Sequence, residues 1–185
     1  MKDERIIVAG FGGQGVMMIG KLLAHAGMIE NCHVSWLPSY GPEMRGGTAN
    51  CHVIISEDII GAPVVTEATC VMAMNLPSLE KFEARVRPDG LLLINSSLIP
   101  AHSKRHDVRT LEIPVNDIAN TQGSLKVANV VMLGAYLALS NAVKEETILD
   151  VVMEMLGKTK RHLLDINVKA LHEGMAFAAQ KKSSD

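Results

Sequence analysis

Cysteine is scarce in this chain. The 185 residues hold three, Cys32, Cys51 and Cys70, with no C-x-x-C spacing. A cubane iron–sulfur cluster is usually held by four thiolates. Such a cluster is therefore excluded from this chain alone, and the odd, scattered thiols are expected to be reduced. Aromatics are also few, at 3% of residues, and the formal net charge is −2. No stretch interleaves Lys and Arg with aromatics, which argues against a nucleic-acid partner. Long apolar runs are missing too. The longest, Val127 to Leu139, carries Asn129 near its start and is too short for a bilayer. It reads as a buried core helix, so no membrane is expected. The opening Lys2-Asp3-Glu4-Arg5 lacks the pattern of an export leader, giving the expectation of a cytoplasmic protein.

The usual catalytic spellings are likewise absent. There is no G-x-S-x-G, no Walker lysine and no Cys/His catalytic spacing. His102 and His106 stand four apart, but the basic Ser103-Lys104-Arg105 separates them and no carboxylate or thiol completes a ligand set, so no metal is expected. The remaining histidines, His25, His33, His52, His162 and His172, are isolated and read as structural or exposed. The chain lacks the parts of a complete active site.

What is present is a globular composition, 48% hydrophobic and 21% charged, at a length that suits one domain. Methionines at positions such as Met17, Met18, Met72, Met74, Met132, Met153 and Met155 fall in apolar periodic stretches and read as core filling. Arg5 to Ala9 is a β-branched run, hence a first strand. Helical spacing from Val16 through Ile19, Leu22, Leu23 and Ala26 gives a helix to about Glu30. Further strands are expected at His33–Leu37, Thr48–Ser56, Thr69–Met74, Leu91–Asn95 (after a Pro88-Asp89-Gly90 turn) and Val108–Ile113. A helix is expected over Pro77–Val86. Beyond Pro114 the pattern is helical: Val115–Asn120, Leu125–Leu139, Glu145–Leu156 and Arg161–Ala179. No helix separates the second and third strands, and a parallel pair needs a crossover of about a dozen residues or more. They are therefore expected to be antiparallel in a mixed sheet. The expectation is an α/β fold, three-layer and Rossmann-like, with a mostly parallel sheet over about 1–113 and a helical part over about 114–180.

Two loops carry candidate chemistry. Gly10-Phe11-Gly12-Gly13-Gln14-Gly15 matches G-x-G-x-x-G between strand and helix, where glycines admit a close ligand and the helix N-terminus attracts a phosphate. A dinucleotide site also wants an acid at the end of the second strand. Here that region reads Val34-Ser35-Trp36-Leu37-Pro38-Ser39, without one. An anion-facing or partner-facing turn, or a tight turn serving only strand–helix packing, remain the alternatives. The second loop runs from Pro38 to Gly47 and includes Tyr40, Gly41, Pro42, Glu43, Met44, Arg45, Gly46 and Gly47. Its prolines and glycines predict irregular backbone. Arg45 can hold a carboxylate or phosphate with two parallel hydrogen bonds, Glu43 could orient it or meet a partner, and Gly46 and Gly47 allow close approach. Both loops follow strands and are expected on one carboxyl edge of the sheet. A solvated loop with a surface arginine is the plainer reading.

Gly10-Phe11-Gly12-Gly13-Gln14-Gly15-Val16, together with Ser39-Tyr40-Gly41-Pro42-Glu43-Met44-Arg45-Gly46-Gly47, resembles the gamma subunit of 2-oxoacid:ferredoxin oxidoreductases. Pro114-Val115-Asn116-Asp117-Ile118-Ala119 and Lys126-Val127-Ala128-Asn129 resemble it as well, so the likeness covers nearly the whole chain. The wording of the second loop leans toward the 2-oxoglutarate members rather than the pyruvate ones. The resemblance implies a heteromeric enzyme that decarboxylates a 2-oxoacid oxidatively, forms an acyl-coenzyme A (succinyl-coenzyme A from 2-oxoglutarate) and CO2, and reduces ferredoxin. It also implies alpha, beta and ferredoxin-like partner subunits that carry thiamine diphosphate, Mg²⁺ and [4Fe–4S] clusters. This chain would bind none of these alone. It would support assembly and the edge where coenzyme A enters, and would be inactive by itself. The alternative from another class is a free-standing nucleotide- or flavin-binding protein.

Overall fold

A computed structural model describes residues 2–41, 48–156 and 161–182. Among these residues six strands form one sheet: β1 (Asp3–Phe11), β2 (His33–Tyr40), β3 (Thr48–Ser56), β4 (Ala68–Ala73), β5 (Val86–Asn95) and β6 (Arg109–Ile113). Their order is β2-β3-β1-β4-β5-β6. β1, β4, β5 and β6 pair in parallel, whereas β3 is antiparallel to both β1 and β2. β2 therefore runs with β1, and β3 alone is reversed. The antiparallel second and third strands and the mixed, mostly parallel sheet are as the sequence predicts.

Period-two alternation decides the two faces of the sheet. Ile6, Val8, Cys70, Met72, Leu91 and Leu93 pack on one side against α1 (Val16–Ile29), α3 (Val115–Thr121), α4 (Ala128–Leu139), α5 (Glu145–Leu156) and α6 (Arg161–Lys182). Ile7, Ala9, Ile54, Val71, Leu92 and Ile94 pack on the other, under the short α2 (Leu76–Phe82). The outer layers are thus unequal. α4 is buried from Ala128 through Leu137; a helix apolar all round must be enclosed, and α1, α3 and α6 enclose it. Met72, Met74 and Met132 fill the core as expected, while Met18, Met153 and Met155 are exposed.

Three local expectations change. Pro38, Ser39 and Tyr40 belong to β2 rather than to a loop, with Pro38 opposite Cys51. β2 is an edge strand, where a residue without an N–H is tolerated. Pro88-Asp89-Gly90 lies within β5 as a bulge, because Val86 already pairs with Ala68 before Leu91 pairs with Cys70. The expected 77–86 helix ends earlier: α2 gives way to a 3-10 turn at Glu83–Arg85, and Val86 opens β5.

Candidate functional site at the carboxyl edge

β1 and β4 are parallel neighbours, yet the helices that follow them lie on opposite faces, α1 on one and α2 on the other. Strand order reverses here: the chain goes from β1 outward to β2 and β3, then returns to the far side as β4. A crevice opens at the carboxyl ends of strands at such a reversal, and ligands gather there.

Gln14 spans this crevice. Its Oε1 accepts from the Phe11 amide at 2.6 Å and from Asn75 Nδ2 at 3.2 Å, and its Nε2 donates to the Met74 carbonyl at 3.1 Å. The backbone amide of Gln14 also donates to Phe11 O at 3.2 Å. Gly10 makes room for this bridge, since a Cβ there would stand 2.6 Å from Gln14 Oε1 and 2.9 Å from Met74 Cβ. Beyond it, Asn95 at the end of β5 is fully buried and donates to Met74 O at 3.2 Å and to Asn116 Oδ1 at 2.9 Å. Asn75 caps α2 by accepting from Ser78 N at 2.9 Å. The edge is held by amides that keep no charge and exchange no proton.

Gly15 caps α1 with φ of 76°, a left-handed conformation that favours glycine. A Cβ there would also meet Asn129 Cγ at 2.6 Å, and Asn129 Nδ2 donates to Gly15 O at 3.5 Å. The first turn of α1 holds no acidic residue and no side-chain cap, so the positive end of its dipole is not neutralised from within the helix. Gly13, Gln14, Met74, Asn116, Leu125, Lys126 and Ala128 line a cavity of about 200 Å³ beside it. Lys126 supplies the positive charge, on a turn whose Ser124 Oγ accepts from Lys126 N at 3.3 Å. Whole-ligand pockets usually measure roughly 300–1,000 Å³, so this cavity fits one phosphate-sized group and not an entire nucleotide cofactor.

The structure brings Gly10, Gly12, Gly13, Gln14 and Gly15 to this crevice, with Gly12 and Gly13 exposed. Tyr40 ends β2, 62% exposed, and Gly41 N donates to Thr48 O at 2.8 Å. Phe11 pairs with Thr48 and Tyr40 with Ala49, so the glycine turn and the start of the second loop share one edge. Pro42, Glu43, Met44, Arg45, Gly46 and Gly47 lie outside the described residues. The sequence reading gave no role to Asn75, Asn95, Asn116 or Lys126. The available signal was an Asn at each strand end, the first of them two residues before Pro77 as a helix cap would be.

Among the described residues no three His, Cys, Asp or Glu gather as metal ligands. Burial pushes the Cys51 thiol up to about 11, and pushes Cys70 up with help from nearby Glu4. Both are neutral core thiols, unsuited to a cluster. Burial, then the charge of Arg85, holds His52 low, and its Nδ1 accepts from Val65 N at 2.9 Å. His102 faces Glu112 at 2.6 Å, outside any ligand set. The described residues therefore do not fit an iron–sulfur cluster. No helix among them is long and apolar enough to cross a membrane.

A glycine turn and Lys126 thus meet at the reversal point of an α/β sheet. The chain belongs to the pyruvate ferredoxin/flavodoxin oxidoreductase family, whose model matches residues 5–177. It is 39% identical over 179 residues to the ketoisovalerate oxidoreductase subunit VorA of Methanothermobacter marburgensis, covering 96% of this chain and 37% of that protein. The 2-oxoglutarate synthase subunit KorC of Methanocaldococcus jannaschii is 31% identical over 158 residues, with 84% of each chain covered. Among solved structures, the keto/oxoacid ferredoxin oxidoreductase gamma subunit of Geobacter sulfurreducens superposes with a TM-score of 0.81 at 28% identity, covering 96% of this chain and 99% of that one. The 2-oxoglutarate:ferredoxin oxidoreductase of Magnetococcus marinus, with 2-oxoglutarate, coenzyme A and succinyl-coenzyme A bound, gives 0.89 at 25% identity, over 97% of this chain and 32% of that one. The chain thus spans about a third of the longer relatives and most of the shorter ones. The resemblance read from the two loops, and the gamma-type fold with its helical C-terminal part, are borne out.

Proposed function

We propose that this chain is a single gamma-type domain, the gamma subunit of a heteromeric 2-oxoacid:ferredoxin oxidoreductase, and that its carboxyl-edge crevice holds a phosphate of coenzyme A. The observation that carries the reading is the convergence of Gly13, Gln14, Asn116 and Lys126 on one cavity at the strand reversal. The α1 N-terminus and Lys126 attract the phosphate, and the amide bridge fixes the turn that presents them. Tyr40 and Gly41 stand at the same edge, and to the loop they open, with Pro42, Glu43, Arg45, Gly46 and Gly47, we assign contact with coenzyme A or a partner chain. Thiamine diphosphate, Mg²⁺ and [4Fe–4S] clusters belong to the alpha, beta and ferredoxin-like subunits, and ferredoxin takes the electrons through the complex. The setting is the cytoplasm.

The substrate is a 2-oxoacid. The wording of the second loop supports 2-oxoglutarate, and the KorC and Magnetococcus relatives carry that name. The VorA relative, at 39% identity, carries ketoisovalerate. Side-by-side turnover of both acids by the complex decides between them. A free-standing dinucleotide- or flavin-binding protein is not favoured, because the reversed β3 separates β1 from β2.

The test is reconstitution of the complex with Lys126→Gln, Arg45→Ala and Arg45→Lys. A charge-assisted hydrogen bond is worth about 1.5–3 kcal/mol. Lys126→Gln is therefore expected to raise the KM for coenzyme A roughly ten-fold or more at unchanged subunit assembly. Arg45→Ala should raise that KM or weaken association on gel filtration, with Arg45→Lys restoring only part. Wild-type assembly and wild-type KM in both Lys126→Gln and Arg45→Ala would refute the reading.

A further inference from the structure

A second polar pocket, of about 230 Å³, lies at the opposite, amino edge of the sheet. Glu4, Thr69 and Arg109 stand at or next to the amino ends of the parallel strands β1, β4 and β6. Arg87 and Asp89 reach the pocket from the β5 bulge, where the four residues 87–90 face the single Thr69. The bulge is a built feature. Asp89 holds φ of 60° and its amide donates to Asp107 O at 2.8 Å, while a Cβ at Gly90 would stand 2.8 Å from Arg87 O.

The charges are unspent. Among the described residues neither Arg87 nor Arg109 meets a carboxylate within ion-pair distance, and Arg109 Nε donates only to the Asp89 carbonyl at 3.3 Å. Glu4 Oε2 accepts from Thr69 Oγ1 at 2.6 Å and from the fully buried Tyr136 hydroxyl at 3.3 Å. Its Oε1 accepts nothing among the described residues. Ser140 Oγ, also lining the pocket, is buried without a well-formed hydrogen bond.

Two guanidinium groups and two carboxylates line one cavity, and this pattern selects the ligand. A simple oxoanion would face Glu4 and Asp89, and a simple cation would face both arginines. A small molecule bearing both charges satisfies each side. The volume equals roughly eight waters at ~30 Å³ each, which suits a small amino acid and not a nucleotide. We propose that the amino-edge pocket binds a small α-amino acid, with its carboxylate on Arg87 and Arg109 and its ammonium on Glu4. This site is independent of the coenzyme A reading.

The experiment is calorimetry and thermal shift on the full chain with glycine, L-alanine and L-glutamate, and with acetate, phosphate and ethylammonium as single-charge controls at equal ionic strength. At least one amino acid is expected to bind and raise the melting temperature, with the controls at least ten-fold weaker. Arg109→Gln, at an exposed position, and Glu4→Gln should each weaken the amino acid at least ten-fold, and Lys126→Gln at the far edge should not. Should Glu4→Gln fail to fold, Arg109→Gln alone decides. No amino-acid binding, phosphate binding as tightly as the amino acid, or wild-type affinity in Arg109→Gln would each overturn the proposal.

Discussion

The side-chain Nε2 of Gln14 donates to the carbonyl oxygen of Met74 at 3.1 Å, joining the turn after β1 to the end of β4. Met74 N donates to Ala9 O at 2.8 Å, and beyond that bond the two strands lead into helices on opposite faces. A primary amide suits the bridge because it donates and accepts at once. Its oxygen takes the Phe11 amide at 2.6 Å while its nitrogen takes Met74 O. A carboxylate could do only the first.

Gln14→Ala is therefore expected to lower stability by about 1–3 kcal/mol, the range for stranding part-buried partners. For a chain of this size that is roughly 2–4 °C of melting temperature per kcal/mol. Gln14→Glu should do no better at neutral pH, since it removes the donor to Met74. Differential scanning calorimetry of both variants checks this; an unchanged melting temperature in each would show the bridge to be idle.

Gly134 in α4 and Gly174 in α6 make a second expectation. A Cβ at Gly134 would run into the Leu171 carbonyl oxygen, and one at Gly174 into the Val131 carbonyl oxygen, so the two helices touch backbone to backbone. Alanine ordinarily favours a helix over glycine by about 1 kcal/mol. Here the clash with backbone, which cannot rotate away, outweighs that gain, and overpacking typically costs about 1–3 kcal/mol. Gly134→Ala should lower the denaturation midpoint in urea, in contrast to the gain expected at an open helical glycine.

Most of the fold was legible because its signals are local. The alternation in Thr48–Ser56 marks β3 with the bounds the structure gives it, and the Glu145–Leu156 pattern marks α5 in the same way. The reversed β3 followed from the short link before it. The β5 bulge was not legible, because Pro88-Asp89-Gly90 spells a turn whether it precedes a strand or interrupts one. Nor was the amide network. Gln14, Asn75, Asn95 and Asn116 are far apart in sequence and meet only once the strand order is set, while Lys126 reaches the site from a helical region read as packing. The glycine turn announced itself by spacing; the cation beside it had no periodic signature.

Glu30 gives an acid-dependent test. It follows α1 with its side chain 12% exposed: Oε1 takes the Lys144 amide at 2.6 Å and Oε2 pairs with Lys2 Nζ at 3.2 Å. Burial alone would raise its pKa from 4.5, but the hydrogen bonds from Lys144, Thr147 and Lys2 together lower it. A carboxyl depressed in the folded state stabilises fully above its unfolded pKa, and that contribution fades as pH falls through the lower folded value. Glu30→Gln should be less stable than wild type by about 1.5–3 kcal/mol near neutral pH. The difference should shrink as pH falls below about 4. Urea unfolding at both pH values measures it, and a gap that persists or widens in acid would contradict the assignment.

The strand order makes the final prediction, that NAD and NADP do not bind. In a dinucleotide site the glycine turn after β1 holds the pyrophosphate while an acid at the end of the next parallel strand takes the ribose hydroxyls. Here the strand paired to β1 on that side is β3, which runs the other way and brings its first residue, Thr48, to the carboxyl edge. The end of β2, Tyr40, stands one strand further out, about 10 Å from β1 at the usual spacing between strands. The cavity of about 200 Å³ beside the turn accepts a phosphate but not two nucleotides. Calorimetry with the full chain should therefore give a Kd weaker than about 1 mM, less favourable than roughly −4 kcal/mol, for either dinucleotide. A micromolar Kd that was lost on Gly13→Val would show that the turn grips a pyrophosphate without the neighbouring acid, and the phosphate reading of the crevice would then extend to dinucleotides.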